Sequence, residues 1–183
     1  MRYTFVKEIG NRNVPLDSRM AGDILRDAED LKEMLKQWEK ELERKIERKQ
    51  SEEVILGKLN RLQDICGAAD GASSVRPQEA LCVEKEEDTE KIRKRVLEAY
   101  REEFEAIRVA CARVDAVCSA VAYLQEPYRS IIEKYYFEKR GSVVNLANME
   151  HYSLRHYKRL KSTALKMVAK ICEKSMGDGV SDS

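Results

Sequence analysis

The stretch SLRHYKRLKSTALKMVAK, Ser153–Lys170, sets the reading of the whole chain. Over its eighteen positions it carries six basic residues and no acidic one. At about 100° per residue, Tyr157, Leu160, Ala164 and Val168 form one apolar stripe, and Arg155, Arg159, Ser162 and Lys166 point the opposite way. His156 and Lys158 flank that outer face. Ser153 is a residue type that caps a helix, because its hydroxyl accepts from a backbone N–H that has no partner in the first turn. The apolar stripe needs a core to lie against.

The preceding residues supply one. Gln125, Glu126 and Pro127 break the chain, and Pro127 suits the first turn of a new helix. The segment Tyr128–Phe137 then presents Ile131, Ile132, Tyr135 and Tyr136 for burial. Glu138–Gly141 reads as a turn, Ser142 as a cap for a short helix over Val143–Met149, and His151 with Tyr152 as a second tight turn. Three short helices, a tight turn between the last two and a basic final helix fit helix-turn-helix architecture. In that motif the helix N-terminus enters the major groove. Arg155 and Arg159 would there each bridge the two acceptors of a guanine, a contact worth about 1–3 kcal/mol of discrimination. Lys158 and Lys166 suit phosphates, which supply affinity without reading sequence. Lys139, Arg140 and Ser142 stand where they would anchor the DNA backbone.

Upstream of residue 124 the pattern changes to long helical stripes. Ile24, Ala28, Leu31, Leu35, Trp38 and Leu42 recur at steps of four and three, the spacing of a coiled-coil seam. Ser51, followed by Glu52 and Glu53, predicts a cap and a fresh helix carrying Ile55, Leu59, Leu62 and Cys66 to Gly67. Residues 67–88 are rich in Gly, Ala, Ser and charge and predict a linker. From Thr89, Leu97, Tyr100, Phe104, Ile107, Cys111, Val114, Cys118 and Val121 predict a second long helix of about 50 Å. The two stripes match in period. An antiparallel pair within one chain and a coiled coil between chains both bury them.

Composition agrees. With three Pro and eight Gly in 183 residues and 37% charged residues, long helices are favoured, while 43% apolar residues suffice for a core. The net charge of +1 is unevenly spread. Residues 1–124 hold 23 Lys/Arg against 26 Asp/Glu, and residues 125–183 hold 11 against 7. A local basic face on a near-neutral protein is the electrostatic footprint of a nucleic-acid surface, whereas a merely solvated face would mix both signs.

No apolar run reaches the roughly 20 residues of a membrane span, and MRYTFVKEIGNRN lacks a secretory apolar stretch. The five cysteines, at 66, 82, 111, 118 and 172, lack the paired spacing of zinc ligands, so no metal or other cofactor is expected. His151 and His156 have no carboxylate poised beside them. Neither a phosphate-binding glycine loop nor a nucleophile elbow occurs, so no catalytic residue and no enzyme are expected. The expected location is the cytoplasm.

The C-terminal pattern also resembles a known family. Leu124 through Ile132, then Tyr136, Phe137 and Glu138, then Leu146 and Ala147 through Ser153, then Ala164 and Leu165 are similar to region four of bacterial sigma factors. With a charged coiled-coil region before it, the chain resembles small phage transcription regulators of the ArpU/RinA type, which control late genes. Two positions depart from the pattern. Glu150 stands where Leu is usual, leaving Met149 to take the core role, and His151 stands where Gly is common. No polymerase-core or promoter-melting segment precedes the motif.

The expectation is therefore an all-α chain: a long helical coiled-coil region followed by a C-terminal helix-turn-helix bundle. Its parts are an N-terminal arm at 1–17, the helical region at 18–123 with a linker at 67–88, the helix-turn-helix at 124–174 and a disordered tail at 175–183. Double-stranded DNA is the expected partner, bound through Ser142, Arg155, His156, Lys158, Arg159, Ser162 and Lys166, with a homo-oligomer formed through the helical region. The resemblance adds RNA polymerase as a partner and a polymerase-binding interaction module as an alternative. A small-terminase-like packaging subunit, which also joins the two kinds of segment, is the other alternative. A ring of many subunits would favour it.

Overall fold

A computed structural model describes residues 2–67, 80–139 and 141–177 of the chain. Residues 68–79 of the expected linker, Arg140 and residues 178–183 of the expected tail lie outside them. The fold is all-α, with no strand among the described residues. Its helices are α1 (Arg2–Ile9), α2 (Ser18–Arg26), α3 (Ala28–Gly67), α4 (Ala80–Ala99), α5 (Arg101–Ala120), α6 (Tyr128–Ile132), α7 (Val143–Met149) and α8 (Leu154–Gly177). Residues 80–88 are thus helical rather than linker, and residues 175–177 end a helix rather than open a tail.

The chain divides into two units, Met1–Gln37 with Glu105–Ser183, and Trp38–Phe104. The expected boundary at residue 124 falls inside the first of these units. Periodicity identifies helices but cannot tell which of them share a core, and the first 37 residues share theirs with the last 79.

Within that discontinuous unit the expected arm is mostly helix. Val6 and Ile9 on α1 and Leu16 beyond it are buried. A helix of eight residues is too short to show a period and would be marginal alone; packing holds it. Close approach makes that packing possible. A Cβ on Gly10 would lie 2.5 Å from the Ala106 carbonyl oxygen of α5, so only glycine fits there. Arg113 completes the join from the interior of α5. Its guanidinium donates to the carbonyls of Ile9 (3.1 Å), Asn11 (3.0 Å), Arg12 (3.4 Å) and Val14 (2.8 Å). These four acceptors compensate a buried charge whose pKa burial lowers. Arg12 also pairs with Glu105, and Lys32 of α3 pairs with Asp115 at 2.9 Å.

Asp17 caps α2 by accepting from the Met20 N–H at 2.8 Å. The helix ends at Asp27, whose N–H is shared between the carbonyls of Asp23 and Ile24, and α3 starts one residue later. The seam expected from Ile24 to Leu42 therefore runs over two helices. The expected new start at Ser51 does not occur. Ser51 donates its hydroxyl to the Glu47 carbonyl at 2.9 Å, the mid-helix alternative to capping, and α3 runs on for 40 residues.

The second unit consists of parts of α3, α4 and α5. Glu53 pairs with Arg95, and Lys45 Nζ lies 6.0 Å from the Tyr100 ring centroid, so numbering rises on one side as it falls on the other. The pairing is antiparallel and within one chain. Leu42, Ile46 and Val96 are buried. Of the expected second stripe, Ile107, Val114 and Val121 are buried and Tyr100 and Phe104 are half-buried, while other members are displaced by one residue. The chain breaks at Tyr100 between α4 and α5, Leu97 is 47% exposed where Val96 is buried, and Ala110 and Val117 are buried while Cys111 and Cys118 are half-buried. Ile55, Leu56 and Leu59 on α3 are more than half exposed. The side chains of Leu62 and Cys66 lie outside the described ones. No helix among the described residues is long and apolar enough to cross a membrane.

Candidate nucleic-acid interface

The three-helix end of the molecule is built around Ile131, Leu146, Ala147 and Tyr157, with Tyr135, Val143, Tyr152 and Leu160 packed at its margin. Tyr157 is fully buried, and its hydroxyl has no hydrogen-bond partner among the described residues. Burial, with the nearby Glu150 charge, pushes its pKa up. From this core the elements that carry the basic residues project in fixed directions.

After α6 the chain widens into a π-helical turn, Glu133–Phe137, in which the Glu138 N–H reaches the Glu133 carbonyl at 2.9 Å. Lys139 then takes a left-handed backbone (φ 49°), Gly141 follows at φ 124°, and Ser142 caps α7 by accepting from Asn145 N–H at 3.3 Å. Ser142 is exposed. Its hydroxyl is engaged at the helix end, with its open side toward solvent.

The tight turn between α7 and α8 closes in the 6→1 and 5→2 pattern of a Schellman motif: Tyr152 N–H to Ala147 carbonyl (2.9 Å) and His151 N–H to Asn148 carbonyl (3.2 Å). His151 holds the left-handed position at φ 57°, where Gly is the unstrained residue. The neighbouring departure is compensated differently from the expectation. Met149 does not take a core role, being 55% exposed. Glu150 is half-buried and ion-paired with Lys134 from the π-helical turn, so a carboxylate with a partner replaces the apolar plug. Nothing in local sequence pairs residue 134 with residue 150; the fold does.

Ser153 caps α8 twice over, accepting from His156 N–H through its hydroxyl (3.2 Å) and from Tyr157 N–H through its carbonyl (2.9 Å). The helix runs 24 residues. Tyr157, Ala164 and Val168 are buried and Leu160 is half-buried. A second side of α8 is covered as well: Ala169 and Cys172 are buried, α2 packs along the helix, and a Cβ on Gly22 would lie 3.3 Å from Leu165. Burial pushes the Cys172 thiol up to about 11, in keeping with an inert core position.

What remains outward is a row. Arg155, Lys158, Arg159, Ser162 and Lys166 are exposed, and His156 is half-buried at its edge. Among the described residues none of the four cations is in an ion pair. Arg159 Nη2 instead lies 3.2 Å from His156 Nδ1. Lys161 does not join the row: its Nζ sits 3.9 Å from the Tyr135 ring centroid, a cation–π contact on the flank. Lys139 is exposed at the far side of α7 from the row in sequence, and Arg140 lies outside the described residues.

A shallow groove of about 310 Å³ runs beside the C-terminal half of α8, between Tyr123, Leu124, Met167 and Ile171, with Lys170 and Lys174 on its edge. Tyr123 is 76% exposed there. Sequence periodicity did not single it out, because Tyr123 sits in a short 3-10 turn, Val121–Tyr123, where helical spacing does not apply. Among the described residues no group of three or more His, Cys, Asp or Glu side chains is placed to hold a metal ion. No protein-family model, curated protein or solved structure matches the chain, so the chemistry of this surface is inferred from its own residues.

Proposed function

We propose that the chain is a sequence-specific DNA-binding transcription regulator, phage-encoded, of the ArpU/RinA type, acting on late genes in the cytoplasm of a bacterial host. The observation that carries this reading is the row on α8: four cations and a serine exposed on one side of a helix whose opposite stripe, Tyr157, Ala164 and Val168, is buried, with no ion pair to a carboxylate among the described residues. A helix presented this way fits the width of the major groove. Arg155 and Arg159 lie in its first two turns and read base edges, and Lys158 and Lys166 hold phosphates. Ser142 anchors the backbone from the cap of α7.

Selection from a randomised duplex library at fixed salt, followed by titration at several salt concentrations, tests it. The expected result is a preferred site bound with a steep salt dependence. Arg155→Ala and Arg159→Ala each relax one base pair by roughly tenfold or more. Binding of all duplexes alike by parent and variants would overturn it.

The groove at Tyr123 favours a second reading, contact with RNA polymerase through an apolar surface rimmed by lysines. Capture of purified polymerase, lost in Tyr123→Ser, with no measurable DNA affinity, would select that reading alone.

A further inference from the structure

We propose, resting on the DNA-binding reading, that His156 is a positioning residue that holds Arg159 in its reading conformation and is not itself a base contact. Arg159 Nη2 lies 3.2 Å from His156 Nδ1. A guanidinium has only donors, so in this hydrogen bond Nδ1 is the acceptor. The ring is in turn held from the core. Its backbone N–H is bound by the Ser153 hydroxyl at 3.2 Å, and its face tilts against Tyr152 with centroids 5.1 Å apart. Tyr152 packs on the cluster of Ile131, Leu146, Ala147 and Tyr157. An unbroken path of fixed side chains therefore runs from the core to one of the two reading arginines. Arg155, also exposed, has no such support among the described residues.

The consequence is an asymmetry between two residues that sequence treats alike. A long side chain fixed before binding loses less freedom when it docks, so Arg159 discriminates more sharply than Arg155. His156 supplies that difference through one lone pair. Phenylalanine keeps the contact with Tyr152 and lacks the acceptor. Asparagine places Oδ1 where Nδ1 lies and keeps it.

The test uses the full chain and the duplex site selected by the parent protein, with affinities for every single-base variant of that site. His156→Phe is expected to relax the same base pair as Arg159→Ala, by roughly tenfold. The pair read by Arg155 and the salt slope should stay at parent values, and His156→Asn should restore most of the lost preference. If His156→Phe keeps the full preference while Arg159→Ala loses it, the inference falls and the DNA-binding reading stands. It falls equally if His156→Phe relaxes a different base pair, which would make His156 a base contact. If the parent selects no site at all, the underlying reading fails first.

Discussion

The two units of this chain use the same residue types under different constraints. In the discontinuous unit, a glycine leaves room for a neighbouring carbonyl where a Cβ would clash, an arginine is buried on four backbone acceptors, and Tyr157, Ile24 and Ile132 are excluded from water. In the helical hairpin of Trp38–Phe104, the buried apolar residues among the described ones are Leu42, Ile46 and Val96, and large apolar side chains at 55, 56, 59 and 97 face outward. The lesson concerns tolerance. A unit joined by single close contacts fails when one of them changes, while a hairpin held by a narrow seam registers little at its outer positions.

Replacing Arg113 by Leu breaks that contrast most severely. It leaves the carbonyls of Ile9, Asn11, Arg12 and Val14 without their donor, and at about 1–3 kcal/mol per unsatisfied buried group the net loss should be roughly 3–5 kcal/mol after relaxation. Urea denaturation followed by circular dichroism measures it; a loss below about 1 kcal/mol would mean that water replaces the guanidinium freely. Gly10→Ala is next. The new methyl meets backbone rather than a side chain that can move aside, so overpacking should cost about 1–3 kcal/mol. Loss of α1 packing should appear as faster amide exchange at Val6 and Ile9.

Three milder substitutions test the contrast from the other direction. His151→Gly removes a side chain from a left-handed position and should stabilise the protein by about 0.5–1 kcal/mol, because glycine meets little steric resistance there. An unchanged midpoint would show that the His151 side chain contributes a compensating contact. In the hairpin, Leu56→Gln and Leu59→Gln should shift the unfolding midpoint by no more than about 0.5 kcal/mol, as for exposed positions generally. A larger loss that depends on protein concentration would mark the stripe as covered by another chain.

The contrast also separates what could be seen in the sequence from what could not. Tyr157, Ala164 and Val168 were legible because one helix repeats its contact with one core every three or four residues. Ser142 and Ser153 were legible as caps because each is followed by an uninterrupted helical pattern. Ser51 was misleading for the same chemical reason: a hydroxyl that can accept at a helix start can also donate back inside one. Arg113 gave no signal, since its partners are main-chain carbonyls about a hundred positions away and carbonyls have no identity in sequence. The pairing of Glu150 with Lys134 was hidden likewise, by a turn that brings sixteen positions of separation to a single ion pair.

The discontinuous unit carries one more implication, for how the protein is made. Its opening segment leaves the ribosome well before α5 and α8 exist, and Val6, Ile9, Ile24 and Leu25 must wait unshielded until those helices are synthesised. Contacts of such long sequence separation form late, and apolar surface left open meanwhile invites aggregation. A shortened gene beginning near residue 124 would not escape the difficulty. It would strip α2 from Leu165 on α8 and hand the basic helix to the cell with a greasy flank.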